Sequence, residues 1–177
     1  MRRTTLALAV AAALAAPVAA QESAPAPERR GTIGAAILHF ASDDRRWPYV
    51  GLDGTFRVGR FEVQATYFRD TMRYDDFDPE YAWTRTLEWY SGGIIWPLSP
   101  SPARFRPHVL TGFQMFRDTT SDGSFPHRRP AVYGGLGAEF PLGGRLFARV
   151  QYMTLAVYVY EEIYVGYAGR ASIGIGF

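Results

Sequence analysis

Apolar and polar residues alternate along most of this chain of 177 residues, from about residue 31 to its end. In "FEVQATY", residues 61–67, the odd-numbered positions are apolar or aromatic and the even-numbered positions are polar. Residues 145–152 repeat the pattern, although Phe147 interrupts their polar face. Because successive side chains of a β-strand point to opposite faces, this alternation predicts strands with one apolar and one polar face.

Eight such runs occur, and the links between them alternate in character. Short turns such as "VGR" and "PLGG" alternate with polar, mostly longer links such as "SDDRRWP" and "DTTSDGSFPHRRP". Eight antiparallel strands joined in this way predict an all-β fold, an eight-stranded up-and-down β-barrel. The predicted strands are residues 31–41, 49–58, 60–69, 82–97, 105–117, 131–141, 145–158 and 164–177.

The alternation does not by itself say which face of the barrel is apolar. A water-soluble barrel has its apolar positions inside, whereas a membrane barrel turns them outward to lipid. Aromatic residues near the predicted strand ends favour the membrane arrangement, since aromatic girdles lie at the two membrane–water interfaces. We predict one girdle at the short-turn end and one at the long-loop end, formed respectively by Phe61, Phe105, Phe140 and Phe177, and by Tyr67, Trp83 and Tyr158.

The polar face carries charges of both signs in mid-strand, which also favours an outward apolar face. The interior of an eight-stranded barrel is narrow and filled by side chains, so acids and bases there must neutralise each other. We expect Glu88 to pair inside with Arg149 or Arg170. The predicted interior charge network is Asp53, Arg57, Glu62, Glu88, Glu139, Arg149 and Arg170.

The N-terminus has the pattern of a secretory signal peptide, because Arg2 and Arg3 precede the apolar run "LALAVAAALAA". We predict a signal peptide at 1–20, a flexible lead at 21–30 and a transmembrane barrel at 31–177. Without Arg2 and Arg3 the 19 basic residues become 17, which equals the 17 acidic ones, so a nucleic-acid partner has no electrostatic support. The absence of cysteine excludes disulfides and thiolate metal sites.

The signal peptide, the eight alternating runs and the terminal aromatic residue resemble the small outer-membrane barrels of Gram-negative bacteria, of the OmpX and OmpA membrane-domain type. In that family the last strand is a signal read by the barrel-assembly machinery. Its motif matches Arg170, Ile175 and Phe177 here, with Ser172 where glycine is usual. The resemblance implies a bacterial outer-membrane location, contact with outer-membrane lipid and lipopolysaccharide, and no periplasmic anchoring domain. We expect a monomer without cofactors.

Some eight-stranded outer-membrane barrels are enzymes that modify lipid A, which is the alternative to a structural role. The deacylases among them place a histidine two residues from the serine, but Ser42 is three residues after His39. The acyltransferases gather His, Asp and Ser at the outer rim, which His39, Ser42, Asp43 and Asp44 would supply. Because polar rim loops provide such triplets by chance, we predict no catalytic residues.

The run "YDDFDPEY", residues 74–81, concentrates oxygen ligands suited to Ca²⁺ or Mg²⁺. It lacks the glycine and the spacing of an EF-hand loop, so we predict a solvated acidic loop and no metal site. Arginine binds phosphate through two parallel hydrogen bonds, and lipopolysaccharide carries phosphates at the outer surface. The candidates for that contact are Arg45, Arg46, Arg128, Arg129 and Arg85, the last predicted to face outward near the rim.

Eight strands are too few for a wide pore, so the sequence favours a structural or interaction role. Membrane integrity, adhesion and lipopolysaccharide contact all fit such a role. A soluble, lipocalin-like binding barrel is a second alternative, although the Gly-any-Trp start and the C-terminal helix expected of one are not evident.

Overall fold

The computed structural model describes residues 29–40, 48–74, 83–98, 105–121, 127–159 and 161–177. These residues form eight strands: β1 (Gly31–Phe40), β2 (Tyr49–Val58), β3 (Phe61–Tyr74), β4 (Trp83–Pro97), β5 (Arg106–Thr120), β6 (His127–Gly143), β7 (Leu146–Val159) and β8 (Glu162–Gly176). Each strand pairs antiparallel with the next, and β8 pairs with β1, so the sheet closes into a barrel. The predicted all-β, eight-stranded up-and-down barrel is confirmed. Within these residues, no helix is long and apolar enough to cross a membrane.

Two tight turns mark one end of the barrel, which we call the short-turn end. Val58 pairs with Phe61 across a two-residue loop, and Gly59 in that loop has a φ of 61°. The turn between β6 and β7 contains Gly144, with a φ of 55°. Side chains with a Cβ rarely adopt positive φ, so glycine at these positions allows β2 and β6 to reverse within two residues.

At the opposite end, the long-loop end, several strands extend past their predicted limits. β3 continues to Tyr74 rather than residue 69, and β6 begins at His127 rather than residue 131. The hydrophobic alternation fades there because polar residues such as Asp70 and Thr71 occupy both faces of β3. Backbone pairing continues regardless, with Thr71 opposite Thr86 on β4.

The outer face of the barrel is apolar over most of its height. Exposed apolar surface of this extent is unfavourable in water and is typical of a surface that faces lipid. A lipocalin-like barrel has the opposite arrangement, so the structure argues against that alternative. The exposed side chains include Ile33, Ile37, Val50, Leu52, Phe56, Val63, Ile94, Phe113, Val132, Leu136, Val150, Ile173 and Ile175.

Some of the large side chains of the interior fit because glycines lie beside them. Tyr133 on β6 is buried, and its hydroxyl lies over Gly112 on the adjacent strand β5 and over Gly93 on β4, one strand further. A Cβ added at these glycines would come within 2.3 and 2.6 Å, respectively, of the Tyr133 hydroxyl oxygen. Glycines on the inner face therefore provide the space for the aromatic residues that fill the lumen.

The barrel closes at a seam between β1 and β8. Gly34 on β1 lies directly opposite Gly174 on β8. At the end of the seam, the Phe177 carbonyl accepts hydrogen bonds from the Arg30 and Gly31 amides at 2.7 and 3.1 Å. The Phe177 amide in turn donates to the Gly31 carbonyl at 3.0 Å. The backbone of the last residue is therefore held by the first strand.

A side chain at Gly174 would prevent the close approach of β1 and β8. A Cβ there would lie 2.2 Å from the Ile33 carbonyl oxygen and 2.5 Å from the Gly34 Cα, both backbone atoms. We expect Gly174→Ala to lower the free energy of unfolding by about 1–3 kcal/mol, as overpacked sites do. The measurement is urea unfolding in detergent micelles, followed by tryptophan fluorescence.

Gly169→Ala on the same strand is the matched control, because nothing lies within 4 Å of a Cβ at that position. Equal stability of the two variants would show that the seam does not constrain residue size.

Candidate functional site: the filled lumen

Arg149 on β7 lies at the centre of a group of interior charges near the short-turn end. Its Nη1 donates to Asp53 Oδ2 at 3.0 Å, and its Nη2 donates to Glu139 Oε2 at 2.7 Å. Nη2 also lies 3.6 Å from Glu62 Oε2. One guanidinium thus contacts carboxylates from three other strands, and its side chain is only 1% exposed. Asp53 reaches it across the lumen, from a strand that does not neighbour β7.

Two further arginines balance these three acids. Arg106 on β5 donates to Glu139 at 3.2 Å and to Glu62 at 3.3 Å. Arg29 Nη1, just before β1, lies 3.6 Å from Glu139 Oε1. We call this group of three arginines and three carboxylates the lumen charge cluster, and its formal charges cancel. Buried charges are tolerated when they are paired and hydrogen-bonded in this way.

The buried Phe147 side chain lies against the lumen charge cluster. The Arg149 guanidinium carbon lies 5.1 Å from the centroid of the Phe147 ring, and that of Arg29 lies 5.9 Å from it. Arginine over an aromatic ring at this range is a cation–π contact. Phe147, which interrupts the polar face of β7 in the sequence, therefore contacts two of the interior arginines.

A layer of polar side chains around Arg170 lies next along the lumen. Gln64 Nε2 donates to Asp53 at 2.6 Å, and Arg170 donates to Gln64 Oε1 and to Gln151 Oε1, each at 2.7 Å. His108 Nε2 lies 3.1 Å from Gln151 Nε2. Ser172 also donates to Asp53, at 2.9 Å. These bonds link β2, β3, β5, β7 and β8 through side chains alone.

The part of the lumen nearer the long-loop end is filled by aromatic rings. The Trp89 ring stacks on Phe40 at a centroid distance of 4.5 Å and lies 4.2 Å from Phe116 and 5.7 Å from Tyr49. We call these four residues the aromatic plug. The Arg129 guanidinium lies 5.9 Å from the centroid of the Phe116 ring.

A cavity of about 10 Å³ lies beside the lumen charge cluster. This volume holds about one water molecule and excludes a substrate or a hydrated ion. Its lining consists of Glu62, Pro97, Arg106, His108, Glu139 and Arg149. The lumen is thus packed beside the lumen charge cluster.

The structure places five of the seven predicted network residues inside the barrel and buries them. They are Asp53, Glu62, Glu139, Arg149 and Arg170. Arg57 has the predicted parity but is exposed, because it lies at the short-turn end of β2, beyond the packed interior.

The prediction for Glu88 was wrong. Its neighbours Leu87 and Trp89 point inward, so Glu88 lies on the outer face, where its Oε1 accepts from the Tyr67 hydroxyl at 3.0 Å. It contacts neither Arg149 nor Arg170. Arg117 on β5 is instead its charged neighbour, with Nη1 3.7 Å from Glu88 Oε2.

The candidate arginines for lipopolysaccharide contact occupy different positions. The prediction that Arg85 faces outward was wrong, because it shares the inner face with Leu87 and Trp89 and bonds to the buried Asp118 through two nitrogens. Arg129 also points inward, over Phe116. Arg128 is exposed, whereas Arg45 and Arg46 lie outside the described residues.

Most residues of the two predicted aromatic girdles lie in the described part of the chain. At the short-turn end Phe61 and Phe105 are exposed, and Phe105 contacts Phe140 at 5.5 Å between ring centroids. Phe177 is exposed on the outer face, as is Ile175 of the predicted assembly motif. Sequence reasoning missed Trp96, whose ring lies 4.7 Å from that of Phe61.

The long-loop girdle includes Tyr67 and Tyr158 on the outer face. The Tyr67 ring lies 5.1 Å from that of Tyr90, and Tyr158 is exposed. The side chain of Trp83 lies outside the described residues.

The residues weighed for catalysis and metal binding do not form a described site. His39 lies on the outer face of β1, whereas Ser42, Asp43 and Asp44 lie outside the described residues. The acidic run 75–80 also lies outside them. Among the residues that are described, no group of His, Asp and Glu has the geometry of a metal site.

Sequence reasoning also missed Arg29, Arg106, Gln64, Gln151 and the inward role of His108. Arg29 falls in the predicted flexible lead, and Arg106 is the second residue of the predicted strand 105–117. Gln64 and Gln151 were visible as polar-face positions, but amides carry no charge that would mark them as partners of Arg170.

Comparisons with known proteins match the fold only. No family model and no curated protein matches the chain. It is similar to the N-terminal β-barrel domain of OprF from Pseudomonas aeruginosa, with 16% identity over 84% of this chain and 98% of that one, at a TM-score of 0.58. It is also similar to neisserial surface protein A, with 11% identity over 83% and 96% of the two chains and a TM-score of 0.54. A third similar structure is outer membrane protein W of E. coli, with 13% identity over 88% and 100% of the chains and a TM-score of 0.50.

The chain has the fold of the small eight-stranded outer-membrane barrels. These barrels share with it the closed antiparallel sheet, and at this level of identity the likeness concerns architecture.

Replacing Arg149 should destabilise the barrel strongly. In Arg149→Met, Asp53 loses its charged partner and Glu62 and Glu139 lose a shared one. Breaking a buried ion pair from one side costs about 3–5 kcal/mol, and we expect a loss of this size in urea unfolding in detergent. Adding Asp53→Asn should recover part of the loss, because it removes one of the stranded charges.

Arg60→Met is the control, since Arg60 is exposed in the β2–β3 turn and should change stability by no more than about 0.5 kcal/mol. If Arg149→Met is as stable as this control, the lumen charge cluster does not hold the barrel together.

Proposed function

We propose that the protein is a closed barrel of the bacterial outer membrane that does not conduct and has a structural and lipid-contact role. The observation that carries the proposal is the filling of the lumen in series by the lumen charge cluster, the polar layer around Arg170 and the aromatic plug. The lumen charge cluster occupies one part and the aromatic plug another, and the cavity between side chains beside the cluster has a volume of only about 10 Å³.

The outer surface supports the membrane part of the proposal. Apolar side chains face outward on every strand, and aromatic residues lie near both ends of the apolar belt. A belt of this kind matches the hydrocarbon layer, and the rings match its two interfaces. In this orientation the short-turn end faces the periplasm and the long-loop end faces the exterior.

Lipopolysaccharide contact is the interaction that the exposed arginines favour. Arg69 and Arg128 are exposed on outward strand positions near the long-loop end. The outer leaflet of this membrane presents phosphate groups at that level, and arginine recognises them well. The loops beyond would supply any adhesive contact.

We also propose that the barrel-assembly machinery reads the exposed end of β8 during insertion. Ile175 and Phe177 lie on the outer face at the last two outward positions of the chain. Arg170 and Ser172 point into the lumen, where they bond Gln64 and Asp53. We propose no catalytic step, because the His39 side chain points away from the lumen and His108 is bonded to Gln151.

The protein should not form an ion channel. After reconstitution in planar bilayers, we expect no stable single-channel currents from the wild type. The double variant Trp89→Ala/Phe116→Ala should also be silent, because the lumen charge cluster still closes the other part of the lumen.

Insertion is checked separately by the shift in electrophoretic mobility between unheated and boiled samples. Steady open-channel currents from an inserted wild-type protein would contradict the proposal. Monodisperse behaviour of the mature protein without detergent would contradict its membrane part.

A further inference from the structure

Four charged residues form a row across the outer surface of the barrel. Arg69 on β3 lies directly opposite Glu88 on β4, which lies opposite Arg117 on β5, which in turn lies opposite Arg128 on β6. Each of the four residues occupies an outward position of its strand, so all four side chains point away from the lumen. We call these residues the interface row. The first and the last of them, Arg69 and Arg128, are 59 residues apart in the sequence, and only the strand register brings the four together.

The interface row marks the limit of the apolar belt on these four strands. The next outward positions toward the short-turn end are Tyr67, Tyr90, Met115 and Pro130, which are all apolar or aromatic. The next outward positions on the other side include Thr71, Thr86 and Thr119. Outward charges are costly at the bilayer midplane and nearly neutral at the interface, so the change in polarity places the row at the level of the lipid headgroups.

The interface row has an excess of positive charge. Its three arginines face one carboxylate, and Glu88 is engaged by the Tyr67 hydroxyl at 3.0 Å and by Arg117 at 3.7 Å. Among the described residues, neither Arg69 nor Arg128 has an ion pair within 4 Å. Arg117 Nε is shielded from solvent and lacks a hydrogen-bond partner.

An anion between the neighbouring arginines would stabilise them. Arg117 and Arg128 lie directly opposite each other, and like charges in this relation are destabilising. A phosphate that accepts from both guanidinium groups removes the repulsion and satisfies their donors. The aromatic and apolar side chains next to the row, on the side of the short-turn end, would lie beside the acyl chains of the same lipid.

We propose that the interface row is a binding site for the phosphate groups of lipid A, the membrane anchor of lipopolysaccharide. The proposal rests on the outer-membrane location given under the proposed function. Arginine is suited to this site because its planar fork bonds two phosphate oxygens at once. Glu88 opposes the bound anion, so it limits the affinity of the site.

Binding can be measured on protein refolded in a neutral detergent, by native mass spectrometry with added lipid. The probes are lipid A with both phosphates, the same lipid after removal of the phosphates, phosphatidylglycerol and inorganic phosphate. We expect bound lipid A only when the phosphates are present. Phosphatidylglycerol and inorganic phosphate should compete weakly, since each offers one phosphate and the row offers three arginines.

Three substitutions on the row should weaken binding and one should strengthen it. Each of Arg69→Gln, Arg117→Gln and Arg128→Gln should reduce the affinity for lipid A about tenfold, the effect of losing a charge-assisted hydrogen bond. Glu88→Gln should raise the affinity, because it removes the opposing charge. A purely structural role for the row would not give changes of opposite sign.

The matched control is the triple variant Arg30→Gln/Arg60→Gln/Arg145→Gln, which removes three exposed arginines from the short-turn end. It changes the net charge as much as the triple variant of the row, Arg69→Gln/Arg117→Gln/Arg128→Gln, which should abolish binding. The control should leave binding unchanged. Equal losses in the two triple variants, equal binding of the dephosphorylated lipid, or equal binding of phosphatidylglycerol would each overturn the assignment to lipid A.

Folding is verified for every variant by the mobility shift on heating, and the single variant Arg128→Gln keeps the test valid if the triple variant does not fold. Insertion into vesicles by a protein that fails to bind lipid A would overturn the site and leave the proposed function standing. Failure to insert would overturn both.

Discussion

The constraint on which this structure depends is the width of an eight-stranded barrel. A lumen this narrow holds no bulk water, so each inward polar group must be satisfied by another inward side chain. Arg149 meets this requirement by reaching carboxylates on β2, β3 and β6, two of which are also contacted by Arg106. The bond from Arg149 to Asp53 crosses the lumen, since β7 and β2 are three strands apart around the barrel. The interior charges therefore brace the barrel from wall to wall, in addition to the backbone hydrogen bonds around it.

The lumen satisfies the same constraint by different chemistry along its length. Near the short-turn end it pairs charges, next it uses amides around Arg170, and toward the long-loop end it packs rings around Trp89. Rings need no hydrogen-bond partners for most of their surface, but they need space, which inner-face glycines provide: Gly93 and Gly112 lie beneath Tyr133, and Gly51 lies beside Phe68. Since the layers lie in series, water would have to pass all of them to cross the barrel. The filling of the described part of the lumen is therefore shared by all of these layers.

The alternation of apolar and polar residues predicts well where the strands lie, but it predicts less reliably which side chains point into the lumen. On the first part of β3 one face is polar and the other apolar, so Glu62 and Gln64 are visibly interior. On β4 the alternation fails, because Leu87 and Trp89 fill the aromatic part of the lumen while Tyr90, Ile94 and Trp96 face outward. With large apolar residues on both faces, parity cannot be read from hydrophobicity, and both Glu88 and Arg85 were assigned to the wrong face. Arg57 shows a different limit. It lies at an inward position of its strand as predicted, but the sequence does not show how far along the barrel axis a residue lies. Which acid meets which base depends on barrel shear, which appears only when the sheet closes.

The position of Glu88 on the outer face changes the interpretation of the charges on that face. On the inner face this glutamate would be one more member of a balanced interior, and Arg69, Arg117 and Arg128 would be unrelated surface charges. On the outer face it falls into register with all three, at the position on each strand where the apolar belt ends. Antiparallel register makes this alignment demanding, because a shift of one residue on any strand would turn its charge into the lumen. Inside the barrel, each cation of the lumen charge cluster is matched by acids of the same chain. Outside, three cations share one acid that is already bonded to Tyr67. The lumen charge cluster is neutral, whereas the interface row carries three arginines and one carboxylate. This is the charge distribution expected if the remaining anions are supplied by the membrane, as we propose.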